Sequence, residues 1–309
     1  MINSPKFSVI IPVHNKFPHL ERSVLSVLNQ TNPDLELILV DDASTDGSSA
    51  KLLEFKDPRI KLLRREVPGP GGYAARNLGI AHAANEWVCF LDADDEWELD
   101  VLETLTEVIR NDSEVEVLCW GWTKVRDGVK LIDPYSQKFK GEKIKGFTLT
   151  DFFNGPQPMW TGGISMKKDL IKKAGTFPEI GFKRGGDMDT WIRCVWHSKK
   201  NLRITKPMTY YYLDSVNMVT KAIERDTSYT FSDFVMKILH STKDKELIKA
   251  IRYFQNRRIY AILSERVSKG RRIDYDLLYK MNANKFFLYY FCKLHLKKVL
   301  IETKLVKSI

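Results

Sequence analysis

At 309 residues, of which 43% are hydrophobic, the chain is long enough to bury the core of one large domain with a smaller appendage, so a disordered or fibrous protein is excluded. Its net charge of +10 does not indicate nucleic-acid binding, because the charge is confined to one region. Residues 230–309 hold 18 Lys and Arg against 7 Asp and Glu, whereas the remainder holds 31 against 32. The sequence therefore describes a nearly neutral body followed by a basic region that suits an anionic partner.

The start of the chain and its cysteines favour the cytoplasm. The first residues lack the basic start and the cleavage site of a secretory signal, and no run reaches the roughly 18 apolar residues of a spanning helix. The cysteines form no metal-type or redox-type pair, and we expect each to be a small core residue; they are Cys89, Cys119, Cys194 and Cys292. Neither disulfides nor structural zinc is indicated, and attachment to a membrane surface stays open.

The first 120 residues alternate short β-rich runs with helical patterns, which is typical of an α/β sheet of parallel strands flanked by helices. The predicted strands are 7–13, 35–40, 60–63 and 87–91, and the predicted helices are 19–30, 73–84 and one capped by Ser44-Thr45-Asp46. Later strands are predicted at 115–122 and 208–213, before a helical region. We therefore expect a domain of residues 1–225 and a basic helical region of residues 230–309.

Acidic clusters follow two of these strands. Asp41-Asp42 ends the second strand, and Asp92-Ala93-Asp94-Asp95 follows the fourth. Because ligands of open α/β sheets lie outside the carboxyl ends of the strands, we expect Asp42, Asp92 and Asp94 to share one crevice. One carboxylate of such a pair can hold a hard divalent ion while the other orients a sugar hydroxyl. A capped turn or the acidic first turn of a helix would use the same residues, so the clusters alone leave both interpretations open.

A glycine-rich loop and an arginine precede the alanine-rich helix. Arg76 follows Pro68-Gly-Pro-Gly-Gly72, where the bare backbone would let a phosphate approach. The loop lacks the spacing and the lysine of a Walker or dinucleotide-binding motif, so it is weak evidence by itself.

One more carboxylate lies at a helix start, behind Gly185-Gly186. The side chain of Asp187 shares a helical face with the apolar Trp191 and Val195, at intervals of four, and that face is predicted to point inward. Asp187 is either a carboxylate in a cleft or a capping residue, and Asp189, on another face, is predicted to be solvated.

Taken in order, these motifs resemble those of the family-two inverting glycosyltransferases, in particular those of bacterial surface-polysaccharide synthesis. The resemblance covers residues 6–215 and rests on Phe7-Ser-Val-Ile-Ile-Pro-Val-His-Asn15, Leu39-Val-Asp-Asp-Ala-Ser-Thr-Asp-Gly47, Ala74-Ala-Arg-Asn77, Phe90-Leu-Asp-Ala-Asp-Asp95 and Gly186-Asp-Met-Asp-Thr-Trp-Ile-Arg193. It implies a GT-A type fold, with a Rossmann-like, mostly parallel sheet flanked by helices and, here, a C-terminal helical region.

The resemblance also implies residue roles. The donor nucleotide would be bound by Pro12, His14, Asp42, Arg76 and Asp92. Asp42 would accept a hydrogen bond from the base, usually uracil, and Asp94 would bind Mn²⁺ or Mg²⁺. Many relatives carry a late histidine that is missing here, and Asp214 or Asn217 would take its place at the metal.

For catalysis, the resemblance makes Asp187 the general base and places the sugar and acceptor site near Trp160, Gly162 and Gly163. The implied reaction moves a sugar from a nucleotide-diphosphate donor, expected to be a UDP-sugar, to a hydroxyl of a glycan or lipid-linked glycan, for cell-surface polysaccharide or glycolipid. A nucleotidyltransferase is an alternative, although it would want a basic Gly-rich loop where Pro12-Val-His-Asn15 stands. A non-catalytic sugar-nucleotide or polysaccharide-binding protein is another, although the key carboxylates are present. No nucleic-acid partner is expected.

The basic region contains an aromatic segment over residues 285–298. A helix there would place Phe287, Tyr290, Phe291 and Leu294 on one stripe, and that stripe needs a partner. The partner is the catalytic domain, a second subunit in a homodimer, or anionic lipid at the inner face of the membrane, to which the protein would then be peripheral.

Overall fold

The computed structural model describes residues 4–283 and 285–303. The chain divides into two units, with the boundary between Ile223 and Glu224. The first unit is α/β, and the described part of the second is helical.

The secondary structure follows the predicted alternation. The strands are β1 (Phe7–Val13), β2 (Leu35–Asp42), β3 (Ile60–Arg65), β4 (Trp87–Phe90), β5 (Glu96–Trp97), β6 (Val117–Arg126), β7 (Val129–Ile132), β8 (Ile144–Gly146), β9 (Ile164–Lys167) and β10 (Asn201–Tyr212). The helices of the first unit are α1 (Leu20–Leu28), α2 (Ser48–Leu52), α3 (Tyr73–His82), α4 (Val101–Asn111), α5 (Pro134–Lys138), α6 (Leu149–Asn154), α7 (Lys168–Ala174), α8 (Gly186–His197) and α9 (Val219–Ala222). Those of the second unit are α10 (Asp233–Ser241), α11 (Lys245–Ser268), α12 (Tyr275–Leu278) and α13 (Lys285–Glu302).

The strands form one sheet, in the order β3-β2-β1-β4-β9-β6-β10-β5, with β7 beside β6 and β8 beside β10. β3, β2, β1 and β4 are parallel to one another, as are β6 and β10, whereas β9 runs antiparallel to both of its neighbours. The mostly parallel α/β sheet predicted from the sequence is therefore confirmed. Because β1 to β4 are parallel, the residues that follow them lie at one edge of the sheet.

Helices cover both faces of the parallel strands. Val9 and Ile11 of β1 pack with Leu20 of α1 in the core on one face. Ile10 points to the opposite face, where α3 packs so closely that a Cβ at Gly79 would lie 2.6 Å from the Ile10 side chain. Burial of each such side chain contributes about 1.5–3 kcal/mol, so this alternation fixes the strands between two helical layers.

The start of β10 and the cap of α2 differ from the sequence prediction, each for a local reason. β10 begins at Asn201 rather than at 208, because a register irregularity around Pro207 interrupts its pairing with β6 and obscures the earlier half of the strand. At the start of α2, Gly47 is the N-cap, with φ of 93°, and the Oδ1 of Asp46 accepts a hydrogen bond from the Ser48 N–H at 3.0 Å. The predicted cap is therefore supplied by Asp46, the residue before the N-cap position.

A fully buried ion pair lies between β10 and α5. Arg203 and Asp133 are 0% exposed, with Arg203 Nη2 3.1 Å from Asp133 Oδ1. The same carboxylate accepts hydrogen bonds from the backbone N–H groups of Trp122, Tyr135 and Ser136 at 3.0 to 3.1 Å, so it both caps α5 and holds β6. The Arg203 guanidinium lies over the rings of Trp122 and Tyr135.

Three of the four cysteines are core residues, as expected. Cys89, Cys119 and Cys194 are buried, and burial raises the pKa of each thiol to about 12. The expectation was wrong for Cys292, which is exposed on α13. That helix carries apolar residues around most of its circumference, so apolar neighbours in sequence did not imply burial there.

The predicted aromatic stripe of α13 packs inside the second unit. Tyr290 and Leu294 are buried against Ile259 and Leu263 of α11, and Phe287 and Phe291 pack at the edge of the same cluster. The stripe therefore has its partner in α11, and the expectation that the catalytic domain, a second subunit or lipid covers it was wrong. Across residues 4–283 and 285–303, no helix combines the length and the apolar character needed to cross a membrane.

Candidate active site

An aspartate at the carboxyl end of β2 and an arginine at the carboxyl end of β3 form an ion pair. Asp42 and Arg65 are paired in the parallel register, and Arg65 Nη1 donates to Asp42 Oδ1. The backbone N–H of Gly69 donates to the other oxygen at 3.1 Å, and the His14 ring nitrogen Nδ1 lies 2.7 Å from the Asp42 carbonyl oxygen. Asp42 is 1% exposed, and its two carboxylate oxygens are held by Arg65 and Gly69.

The glycine-rich loop brings Arg76 to the next strand end. Arg76 Nη2 donates to Asp92 Oδ1, and Nη1 donates to the Gly71 carbonyl oxygen at 2.9 Å. Gly72 has φ of 70°, and a Cβ there would lie 3.2 Å from Arg76 Nη1 and 3.6 Å from Pro12. The glycine thus lets the loop lie between β1 and the arginine, which places Pro12, Arg76 and Asp92 together.

Asp94 is paired with Lys16, which no motif of the sequence indicated. Lys16 Nζ lies 2.7 Å from Asp94 Oδ2 and donates to the Val216 carbonyl oxygen at 2.6 Å, with the Asn217 carbonyl oxygen at 3.5 Å. Only 13% of the lysine side chain and 11% of the aspartate side chain are exposed. One carboxylate and two carbonyl oxygens therefore converge on a single cationic position, and these are hard donors of the kind that Mn²⁺ and Mg²⁺ take in proteins.

The third acid of the cluster is structural. Asp95 is 1% exposed and accepts a hydrogen bond from the Tyr212 backbone N–H at 3.0 Å, which ties the acidic loop to β10. Burial, and then the charges of Asp94 and Asp92, raise the pKa of Asp95 well above its usual range.

The structure does not bring the predicted substitutes for the missing histidine to the metal position as side chains. Asp214 is exposed just after β10. Asn217, in the left-handed region with φ of 49°, donates from Nδ2 to the Asn15 carbonyl oxygen at 3.0 Å and offers its own carbonyl oxygen to Lys16. In the described part of the chain, no group of three or more His, Cys, Asp and Glu residues is placed to hold a metal ion.

Asp187 is oriented by two hydrogen bonds. Thr161 Oγ1 donates to Asp187 Oδ2 at 2.8 Å, and the Met188 backbone N–H donates to Oδ1 at 2.9 Å. The N-cap of α8 is Gly185, with φ of 84°, so the capping interpretation of Asp187 is wrong. The side chain is half-buried, and the α8 backbone beside it is fixed by Tyr73, whose hydroxyl accepts the Gly186 N–H at 2.9 Å.

The prediction that Asp189 is solvated is wrong. Asp189 is 5% exposed, and Arg193, one turn later, donates from Nε to Asp189 Oδ2 at 2.9 Å. Arg193 also donates to the Ala174 carbonyl oxygen at 2.6 Å, at the end of α7. Asp189 therefore holds the arginine that joins α8 to α7, a contact that helical periodicity alone does not reveal.

Trp160, Gly162 and Gly163 flank Thr161, the residue that contacts the Asp187 carboxylate. The half-buried Trp160 ring packs 4.9 Å from Tyr211, measured between ring centroids. A Cβ at Gly162 would lie 2.5 Å from the Trp160 ring, and one at Gly163 would lie 3.1 Å from the Trp120 carbonyl oxygen. The two glycines thus leave room for the Trp160 ring and for the Trp120 backbone.

Comparison with known proteins gives the class of the chain. The family model described as Glycosyl transferase family 2 matches residues 8–174, and the chain belongs to this family. The crystal structure of S. aureus TarS residues 1–349 in complex with UDP-GlcNAc superposes with a TM-score of 0.75 at 18% identity, over 96% of this chain and 90% of that one. The chain therefore has the GT-A fold that the sequence predicted.

Curated relatives match shorter segments. An uncharacterised glycosyltransferase of Nostoc sp. is 41% identical over 69% of this chain and 66% of its own length. The Escherichia coli UDP-Glc:alpha-D-GlcNAc-diphosphoundecaprenol beta-1,3-glucosyltransferase WfgD is 42% identical over 31% of this chain and 38% of its own. The putative teichuronic acid biosynthesis glycosyltransferase TuaG of Bacillus subtilis is 41% identical over 33% and 41%. The chain thus spans less than two thirds of the length of these curated relatives.

Three residues of the site were missed from the sequence: Lys16, Arg65 and Thr161. Arg65 lies two residues beyond the end of the predicted strand 60–63, and the structure extends this strand so that Arg65 pairs with Asp42 of the neighbouring strand. Lys16 directly follows the Pro12-Val-His-Asn15 segment, but nothing local reveals that it reaches Asp94. Thr161 lies within the aromatic and glycine stretch that was singled out, and only the fold brings it to Asp187.

Proposed function

We propose that the chain transfers a sugar from a nucleotide-diphosphate donor to an acceptor hydroxyl, with Asp187 as general base. The observation that carries this proposal concerns the charges of the site. Asp42, Asp92, Asp94 and Asp189 are each paired with Arg or Lys, whereas no ion pair within the described residues neutralises Asp187. A carboxylate that is oriented but unpaired is able to accept a proton from a substrate.

The chemistry requires one base and no acid. A glycosidase must protonate a poor leaving oxygen, whereas a nucleoside diphosphate leaves as an anion. Asp187 takes the proton of the acceptor hydroxyl as that oxygen attacks the anomeric carbon, and the diphosphate departs from the opposite face. This single displacement inverts the anomeric configuration. Thr161 holds the Asp187 carboxylate in one orientation during the attack.

Donor binding is assigned to the edge formed by β1, β2 and β4. Pro12 and His14 flank the base, Asp42 accepts its hydrogen bond, and Arg76 and Asp92 lie toward the diphosphate and sugar. A Mn²⁺ or Mg²⁺ ion held by Asp94 would stabilise the charge of the diphosphate. The UDP-GlcNAc in the TarS structure and the UDP-Glc in the name of WfgD support a UDP-sugar as the donor.

The acceptor is proposed to be a growing surface glycan or a lipid-linked glycan. The names of two relatives support this acceptor. WfgD acts on a diphosphoundecaprenol-linked sugar, and TuaG is assigned to teichuronic acid biosynthesis. The half-buried ring of Trp160, the residue before Thr161, offers an apolar surface on which a sugar ring can pack.

Nucleotide and metal preference can be measured without knowing the acceptor. In titration calorimetry with UDP, GDP, CDP and ADP, we expect UDP to bind most tightly, and only with Mn²⁺ or Mg²⁺ present. Asp94→Asn should weaken UDP binding about tenfold or more. Asp100→Asn, which removes an exposed partner of Lys206, is the matched control. Undiminished UDP binding in excess EDTA would remove the metal from this proposal.

The second unit is proposed to attach the protein to the inner face of the membrane. The face of α13 opposite the packed stripe presents Leu288, Leu296 and Val299, which are 65%, 60% and 52% exposed, in line with the exposed Cys292. Between Lys285 and Ile301 this helix has no acidic residue and four lysines, so charge complementarity favours anionic lipid as the occupant of this face.

Flotation with liposomes tests this attachment. The wild type should float with vesicles of anionic lipid at low salt and less at high salt, because screening weakens the attraction of each nearby Lys or Arg, about 1 kcal/mol. Leu288→Ser combined with Leu296→Ser should abolish flotation, whereas Leu53→Ser with Leu131→Ser, at exposed leucines of the first unit, should not. Equal flotation of both double variants contradicts attachment through α13. Dimerisation that only the α13 variant loses would assign the face to a second copy.

A further inference from the structure

The contacts of Lys16 point to a role that goes beyond the assignment of Asp94 as a metal ligand. The ammonium occupies the position on which Asp94 Oδ2 and the carbonyl oxygens of Val216 and Asn217 converge. A lysine and a divalent ion cannot share this position, because both would need the same carboxylate oxygen and their positive charges repel.

The lysine is held from both sides of the cleft. Its backbone N–H donates to Ser48 Oγ at 2.9 Å, which fixes the chain after β1. On the other side, the segment that follows β10 is docked by Asn217, whose Nδ2 donates to the Asn15 carbonyl oxygen at 3.0 Å, and by the Val216 N–H, which lies 3.2 Å from His19 Nε2. Lys16 is thus a bridge between Asp94 and the segment of residues 214–217.

We propose that Lys16 is an internal counter-cation, which neutralises Asp94 in the donor-free protein and holds residues 214–217 over it until a divalent ion displaces it. This inference rests on the proposed metal role of Asp94. It adds a specific consequence: a divalent ion would take over the oxygens that now contact the ammonium, so Lys16 has to leave this position before the ion can bind. The lysine therefore competes with the metal.

The test is Mn²⁺ binding by the full chain without donor, measured as free Mn²⁺ by electron paramagnetic resonance. Lys16→Met, which keeps the length of the side chain, should bind Mn²⁺ at least about fivefold more tightly than the wild type, because the competing cation is gone. Lys16→Gln should do the same. Lys200→Met, which breaks a lysine pair with Asp112 elsewhere in the first unit, should leave Mn²⁺ affinity unchanged.

Hydrogen exchange gives a second readout that does not depend on activity. Without metal, the amides of residues 214–217 should exchange faster in Lys16→Met than in the wild type, because the ammonium no longer holds the Val216 and Asn217 carbonyl groups. Equal or weaker Mn²⁺ binding by both Lys16 variants overturns the counter-cation role, while loss of binding in Asp94→Asn would still support the metal site. If Asp94→Asn binds Mn²⁺ as the wild type does, the proposed metal assignment fails and the inference fails with it.

Discussion

Asp187→Asn is expected to lower turnover by about 10²- to 10⁴-fold, while the affinity for the donor nucleotide stays within about twofold of the wild type. In the asparagine variant the carbonyl oxygen can still accept the Met188 N–H, and the amide nitrogen can donate to the Thr161 hydroxyl instead of accepting from it. The amide cannot take a proton from the acceptor. Turnover is measured as nucleoside diphosphate released from the preferred donor, and affinity is measured by calorimetry.

The matched control for this substitution is Asp169→Asn. Asp169 occupies the second position of α7, as Asp187 does in α8, but it is exposed. The Asp169→Asn variant should therefore lose only the interaction with the helix dipole, about 0.3–1 kcal/mol of stability, and its turnover should not change. Equal turnover of the two variants would mean that Asp187 is not the base. Asp189→Asn is unsuitable as a control, because it would leave the buried guanidinium of Arg193 without its counter-ion.

Asp133→Ala is expected to reduce the free energy of unfolding by about 3–5 kcal/mol, since it leaves the fully buried Arg203 without its counter-ion. Three backbone N–H groups lose their acceptor at the same time. Urea unfolding followed by circular dichroism measures the change, with Asp34→Ala, at an exposed position before β2, as the control.

Replacing Arg203, the other member of this pair, should lower the free energy of unfolding by less. Arg203→Met keeps much of the volume between Trp122 and Tyr135 and leaves Asp133 with its backbone donors. Two nitrogens of Arg203, Nε and Nη1, have no hydrogen-bond partner among the described residues, so little is lost there. A larger loss for Arg203→Met than for Asp133→Ala would contradict this account of the pair.

The sequence was sufficient for features that repeat along the chain or end a strand. The apolar runs of β1, β2 and β4 and the acids that follow them predicted the parallel strands and the edge at which Asp42, Asp92 and Asp94 lie. The pairing of β9 between β4 and β6 was not predictable in this way, because its four residues carry no pattern that reveals an antiparallel neighbour.

Charge pairing across the fold was the main feature that the sequence did not reveal. Lys16 meets Asp94 across 78 residues, and Arg65 meets Asp42 across 23, so neither contact follows from local spacing. Asp189 was misjudged for a related reason, since burial of an acid depends on a cation and carbonyl groups brought by other elements. Sequence patterns thus located the acids of the site, and only the fold shows which of them are neutralised.

The most direct test of glycosyl transfer is to turn over the preferred donor in H₂¹⁸O and locate the label by mass spectrometry. Water replaces the acceptor in this slow side reaction, and attack at the anomeric carbon should place ¹⁸O in the freed sugar and leave the nucleoside diphosphate unlabelled. Asp187→Asn should suppress the labelled sugar, and Asp169→Asn should not. Label in a nucleoside monophosphate or a sugar phosphate would show attack at phosphorus, which would contradict glycosyl transfer and favour a nucleotidyltransferase.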